Sequence, residues 1–185
     1  LAIYNDSSTK IIINYFRSLQ SSYSFLKKKI NTLNLELKSV KINYYKGVLN
    51  YASHAFDLIN FLFDLTLNIE NLNVKSKKFD FFKKDPTINA EFSSNGINFH
   101  LNGLFIDKPL FEIELKFDNC KIFILNHGDE VYIYKNEEVL ISDKFLIKNY
   151  MLDVLNFTKK ILFEEKSEDN FIKSLNLNKE LIKII

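Results

Sequence analysis

From Ile69 onward the apolar residues of this chain recur at every second position, the period of half-buried β-strands. The clearest run is Phe111-Glu112-Ile113-Glu114-Leu115-Lys116-Phe117, with Phe111, Ile113, Leu115 and Phe117 on one face and charges on the other. Asp118-Asn119 turns the chain into Lys121–Leu125, His127-Gly128-Asp129 turns it into Val131–Tyr134, and Lys135-Asn136-Glu137 leads to Val139–Ile141. Upstream, Asn95-Gly96 predicts a two-residue hairpin between Ala90–Ser93 and Ile97–Leu101. Turns this short join antiparallel neighbours. Such a sheet buries one face and leaves the other to water or to another subunit.

Helical patterns flank this meander. Ser22–Ile30 reads as a short helix that Ser21 or Ser22 can cap, and Gly47–Asp64 as a longer one, with an alternating strand, Leu35–Tyr45, between them. Asn149–Phe163 predicts a later helix, and Glu168–Ile185 a last helix with an apolar end. Helices segregated from a run of strands mean an α+β fold, a largely antiparallel open sheet with helices packed on one face. At 185 residues the chain can build one substantial core, and only four glycines and two prolines leave no flexible linker. The opening reads as the middle of a protein: a helix tail, a polar turn around Asp6–Ser8, then an apolar strand over Ile11–Tyr15. A strand that begins so abruptly lacks partners, so the expectation is a fragment.

Several function classes are disfavoured. A net charge of +2, from 25 basic and 23 acidic residues, gives no electrostatic footprint for nucleic acid. No run of about 18 apolar residues predicts a membrane span. The single Cys120 allows no internal disulfide and points to a reducing compartment, the cytoplasm. His54, His100 and His127 lack metal-ligand spacing, so no metal is expected. Lys27-Lys28-Lys29 reads as a solvated helix face.

One helix carries more than packing. On a wheel of about 100° per residue, Asn50, Ser53, His54, Asp57, Asn60 and Asp64 share an arc of roughly 120° in the otherwise apolar Gly47–Asp64 stretch. A polar stripe on such a helix lines a cleft, a ligand or a neighbouring backbone, or is its solvent-facing side. Asn50 and His54 are four apart and His54 and Asp57 three apart, so each pair can touch. Asn50 could orient the imidazole, and Asp57 could raise its pKa or accept its hydrogen bond. A histidine held so exchanges protons near neutral pH.

The order of elements and this motif together resemble the Gfo/Idh/MocA oxidoreductases, the glucose–fructose oxidoreductase and inositol dehydrogenase family. The residues that carry the resemblance are NYFRS (Asn14–Ser18), a strand ending in YYKG (Tyr44–Gly47), and VLNYASHAFDLINFLF, with Gly47, Ser53-His54, Asp57-Leu58 and Leu62 at the family's positions. The resemblance implies a C-terminal domain for substrate binding and oligomerisation, spanning residues 17–185. Residues 1–16 would then be the remnant or junction of an absent N-terminal Rossmann domain that binds NAD or NADP. It makes His54 the catalytic residue, taking the hydroxyl proton of a sugar or polyol. Arg17, the sole arginine, Asn50, Asp57 and, more weakly, Tyr15, Tyr45 and Lys46 would contact substrate. Asn50 stands where many members have Asp, so an acid–base relay would rest on His54 alone or on a lysine from elsewhere. The family's Glu-Lys-Pro motif and any Gly-x-Gly-x-x-Gly fingerprint are missing, so this fragment is expected to hold no cofactor and to be inactive alone. Homo-oligomerisation through the sheet face is expected if that face carries exposed aromatics. The alternative is a stand-alone, non-catalytic binding or dimerisation module of the same fold.

Overall fold

The computed structural model describes residues 11–33, 35–106, 108–136, 138–144, 150–163 and 170–185. The elements run α1 (Ser21–Leu33), β1 (Ser39–Tyr44), a π-helical turn (Val48–Ala52) leading into α2 (Ser53–Phe63), then β2 (Glu70–Phe82), β3 (Asp85–Ser94), β4 (Ile97–Gly103), β5 (Phe111–Lys116), β6 (Cys120–Leu125), β7 (Glu130–Lys135) and β8 (Glu138–Lys144), and finally α3 (Tyr150–Phe163) and α4 (Phe171–Ile182).

The eight strands form one open sheet in the order β2-β3-β4-β1-β5-β6-β7-β8. Each neighbouring pair is antiparallel except β1 and β4, which run parallel with Val40 opposite Phe99 and Ile42 opposite Leu101. That single parallel pair follows from the chain path. α2 and the β2-β3 hairpin intervene between β1 and β4, and such a crossover lets the chain return in the same direction. The fold is therefore α+β with a largely antiparallel sheet and helices on one side.

Period-two patterning places the core. Val40, Ile42, Tyr44, Phe99, Leu101, Ile113, Leu115, Ile122, Ile124 and Ile133 are buried on the helix-facing side. α2 lays Phe56 onto Phe92 and Phe99, with ring centroids 6.0 Å away in each case, while Leu58, Ile59 and Leu62 are fully enclosed. Each such side chain contributes about 1.5–3 kcal/mol by leaving water. The edge strand β2 is nearly all exposed, yet lysines and three register shifts interrupt its ladder, which blunts edge-to-edge pairing.

The hairpin at Asn95-Gly96 forms as its residues require, with φ 52° and 77°. The expected strand over Ile11–Tyr15 does not form; Asp6–Ser8 lies outside the described residues. Ile13 instead bonds its N–H to Asn170 Oδ1 and its carbonyl to Asn170 Nδ2, at 2.8 and 2.7 Å. One asparagine side chain supplies the donor and the acceptor that a strand partner would have supplied, and Tyr15 N–H turns back to Ile13 O at 2.9 Å.

Candidate functional site

The local geometry begins at Gly47. Its φ of 87° and ψ of 148° belong to glycine, and a Cβ there would lie 2.3 Å from Asp85 Oδ2. Asp85 comes this close because its carboxylate accepts from Leu49 N and Asn50 N, both at 2.8 Å. It thus caps the first turn of the helical stretch from the start of a distant strand. Gly47 N donates to Thr87 Oγ1, and the Thr87 hydroxyl donates to Asp80 Oδ1. The π-helical turn then delivers Ser53, buried, with its hydroxyl bonded back to Leu49 O.

The structure divides the polar stripe into three environments. At the first end Asn50 is exposed, and its side-chain amide donates to Lys46 O at 3.4 Å and makes no bond to His54. Beside it lie Lys46 and the buried Tyr45, which packs edge-on against Tyr51 at 4.6 Å. The Lys46 ammonium sits over the rings of Tyr45 and Phe81.

In the middle His54 is covered. The Tyr15 ring meets it edge-on at 5.1 Å and the Phe16 ring lies 5.6 Å away. Its Nδ1 is buried without a hydrogen-bond partner among the described residues. Burial, and secondarily the charge of Arg17, push its pKa down to about 4. Of the two roles open to Asp57, a raised imidazole pKa is corrected: burial and Arg17 hold it below its ordinary value. Tyr15 is tied to α4 through its hydroxyl, which donates to Asn178 Oδ1 at 3.3 Å.

At the far end Asp57 lines a cleft of about 440 Å³ between α2 and α4. Burial raises its pKa to about 6, against the opposing pull of Ser18 and Lys173. Its Oδ2 has no hydrogen-bond partner among the described residues.

Arg17 is buried, with 6% of its surface exposed. Its guanidinium lies 3.7 Å from the Phe111 ring centroid and 4.4 Å from that of Phe16. Nε and Nη2 both donate to His127 O, at 3.1 and 2.7 Å. That carbonyl is turned toward Arg17 by three successive positive φ values at Asn126, His127 and Gly128. Tyr23 donates to the next carbonyl, Gly128 O, at 2.7 Å. The fork of the sole arginine is therefore engaged by backbone.

Sequence reasoning brought His54, Asp57 and Asn50 to one helix face. It missed Asp85, which holds that helix start, and the cover formed by Tyr15 and Phe16. An Asp-Pro pair at 85–86 marks a turn, but nothing local links it to Gly47. Among the described residues no group of three or more His, Cys, Asp or Glu could hold a metal ion. None of the four glycines opens a helix from a strand in a dinucleotide fingerprint, so the residues of this chain do not suit NAD or NADP. No helix among the described residues is long and apolar enough to cross a membrane.

The fold is that of the C-terminal domain of the Gfo/Idh/MocA-type oxidoreductases. The chain superimposes over 99% of its length, at a TM-score of 0.77 and 7% identity, on 63% of a UDP-N-acetylglucosamine 3-dehydrogenase, GnnA, from Acidithiobacillus ferrooxidans. All of it superimposes at 0.75 and 10% identity on 63% of KijD10, a 3-ketoreductase from Actinomadura kijaniata solved with TDP-benzene and NADP. A dehydrogenase, MviM, from Clostridium difficile matches over 95% of this chain and 61% of its own at 0.63 and 11% identity. The chain thus spans less than two-thirds of the length of these proteins. At the level of sequence it matches no protein-family profile and no curated protein.

Proposed function

We propose that the chain, over residues 17–185, is the substrate-contacting and self-associating C-terminal domain of an NAD(P)-dependent oxidoreductase acting on a sugar, nucleotide-sugar or polyol hydroxyl. Residues 1–16 are its junction to a nucleotide-binding domain, and the protein is cytoplasmic. The observation that carries the reading is the superposition of essentially the whole chain on part of a UDP-N-acetylglucosamine dehydrogenase and of a ketoreductase solved with NADP. His54 is the residue that takes the proton of the reacting hydroxyl. Asn50 and Asp57 on the stripe, and Tyr15, Arg17, Tyr45 and Lys46 around it, are the proposed substrate contacts. Because the chain's own residues do not suit a dinucleotide, that cofactor would be held by another part of the protein. The outer sheet face carries the half-buried rings of Phe123, Tyr132 and Tyr134 in mutual contact, which supports self-association there.

One observation favours the alternative, a stand-alone binding or dimerisation module of the same fold. A base with a pKa near 4 under two aromatic rings accepts protons poorly at neutral pH. The two readings separate on the product of the natural gene. The oxidoreductase reading expects a protein larger than 21.8 kDa by on the order of 100–150 residues, which forms NADH or NADPH when given UDP-N-acetylglucosamine or a polyol. A product near 21.8 kDa with no such activity contradicts it and leaves the module.

A further inference from the structure

The tip of the β2-β3 hairpin joins exposed aromatic rings to lysines, and neither has a role in the redox reading. Its sequence is Lys77-Lys78-Phe79-Asp80-Phe81-Phe82-Lys83-Lys84. Lys78 pairs with Thr87 and Phe82 with Asp85, so the register shift sets Lys78–Phe82 against the shorter Asp85–Thr87. The surplus forms a bulge, which re-aims side chains. Asp80, inside the bulge, turns inward: its Oδ1 accepts from the Thr87 hydroxyl at 2.8 Å and from Phe81 N at 3.1 Å, and its Oδ2 is buried. Phe79, Phe81 and Phe82 are left 53%, 38% and 39% exposed. β4 ends beside this hairpin, because a Cβ on Gly103 would meet Thr87 Cγ2 at 2.5 Å. The loop that follows exposes Leu104, Phe105 and Ile106. Lys78 Nζ lies 5.0 Å from the Phe105 ring centroid, so hairpin and loop share one surface.

The charge on this surface has one sign. Asp80 is turned inward, and Asp85 is engaged by Leu49 N and Asn50 N. Lys78, Lys83 and Lys84 form no ion pair among the described residues. Lysines on an edge strand discourage pairing, but that role does not call for exposed phenylalanines beside them. Large apolar side chains gathered so mark an interaction surface. Apolar rings rimmed by unpaired ammonium groups complement an anionic lipid surface: the rings enter the acyl boundary and the charges meet the headgroups. The lysine stems are long enough to keep their charge at headgroup level. Single-stranded nucleic acid fits less well, because base stacking needs open ring faces. Here Lys77 Nζ lies 5.1 Å from the Phe79 centroid, Lys78 covers Phe105, and Leu104 and Ile106 offer no ring.

We propose that the β2-β3 hairpin tip and the 104–106 loop form a peripheral binding surface for an anionic bilayer. Phe79, Phe82, Phe105 and Ile106 enter the interface without spanning it, and Lys78, Lys83 and Lys84 hold the headgroups. This docking needs neither a dinucleotide nor turnover, so it stands or falls apart from the redox reading. Phe81 packs edge-on against Tyr45 at 5.9 Å with Lys46 beside it, which puts it at the border of the proposed substrate contacts and outside the test.

The test is co-sedimentation of the 185-residue chain, and of the natural gene product, with vesicles of phosphatidylcholine and phosphatidylserine in equal amounts and with vesicles of phosphatidylcholine alone. The expected result is saturable binding of both proteins to the anionic vesicles, weakened by added salt. Lys83→Ala with Lys84→Ala is expected to weaken it about 25-fold, about fivefold for each lysine. Phe79→Ser with Phe105→Ser, both at exposed positions, is expected to weaken it at least about tenfold. If the phenylalanine pair fails to fold, the lysine pair decides. No binding to the anionic vesicles, or equal binding to phosphatidylcholine alone, overturns the proposal. So does unchanged binding by either folded variant. Tighter binding to oligo(dT) than to the vesicles at the same salt overturns it in favour of nucleic acid. Binding by the chain but not by the natural gene product overturns it too, since another part of the protein then covers the hairpin.

Discussion

Replacing Gly47 by alanine strikes two supports at once. The first is the backbone: φ 87° with ψ 148° lies at the border of the region that only glycine occupies readily, and forcing another residue there costs about 1–3 kcal/mol. The second is Asp85. The new Cβ would sit 2.3 Å from its Oδ2, 2.6 Å from its Cγ and 3.1 Å from its backbone oxygen. The carboxylate can swing away, but it then abandons Leu49 N and Asn50 N, and losing such a cap costs about 0.5–2 kcal/mol. The sum predicts a loss of roughly 1.5–5 kcal/mol for Gly47→Ala. Urea unfolding followed by circular dichroism measures it, with Asp85→Ala as companion at about 0.5–2 kcal/mol. The two changes share the cap, so the double variant is expected to lose less than the sum of the singles. A loss for Gly47→Ala below about 1 kcal/mol refutes the backbone argument. Strict additivity with Asp85→Ala refutes the shared cap.

Three further outcomes are expected. Arg17→Ala should destabilise by about 3 kcal/mol, since it strands the His127 carbonyl and empties the space between Phe16 and Phe111; Arg17→Lys should recover less than half, because an ammonium cannot reproduce the fork, and equal stability of both variants would show the fork to be idle. Asp57, with a folded pKa of about 6, adds stability below its unfolded value that is lost as pH rises through 6, whereas His54, at about 4, adds stability above 6.5 that is lost as pH falls through 4; the opposed slopes leave the parent nearly flat between pH 4 and 6.5, while Asp57→Asn should gain stability with rising pH and His54→Gln should lose it, and parallel profiles in thermal melts would contradict both assignments. If the sheet face associates, Phe123→Lys together with Tyr134→Glu should turn a dimer into a monomer in sedimentation at unchanged stability; a parent chain that is already monomeric at every concentration contradicts the interface.

The sheet was legible because one face is buried, and burial writes itself into a period of two. Phe111–Phe117 is the plain case, and the turns at Asn95-Gly96 and His127-Gly128 gave neighbours and direction. The parallel pairing of β1 with β4 was not legible, because it depends on where a crossover lands. The 11–15 stretch misled because its apolar residues satisfy a strand pattern, while its actual partners are Asn170 and Asn178, more than 150 positions away. The same limit applied to the stripe. Helical spacing placed Asn50, His54 and Asp57 on one face, but local sequence carries no sign that Tyr15 and Phe16 cover the middle of it. Nor does it show that the only arginine is spent on a carbonyl at position 127.

The central claim is that His54 moves the proton of a reacting hydroxyl. The direct measurement is the pH profile of kcat for the natural gene product, on a substrate found by screening sugars, nucleotide sugars and polyols with NAD and NADP, compared with that of His54→Gln. The account predicts a fall of about 10²–10⁴ in kcat, with the folded state retained and the acid-limb dependence on His54 removed. An unchanged kcat and an unchanged profile would contradict it.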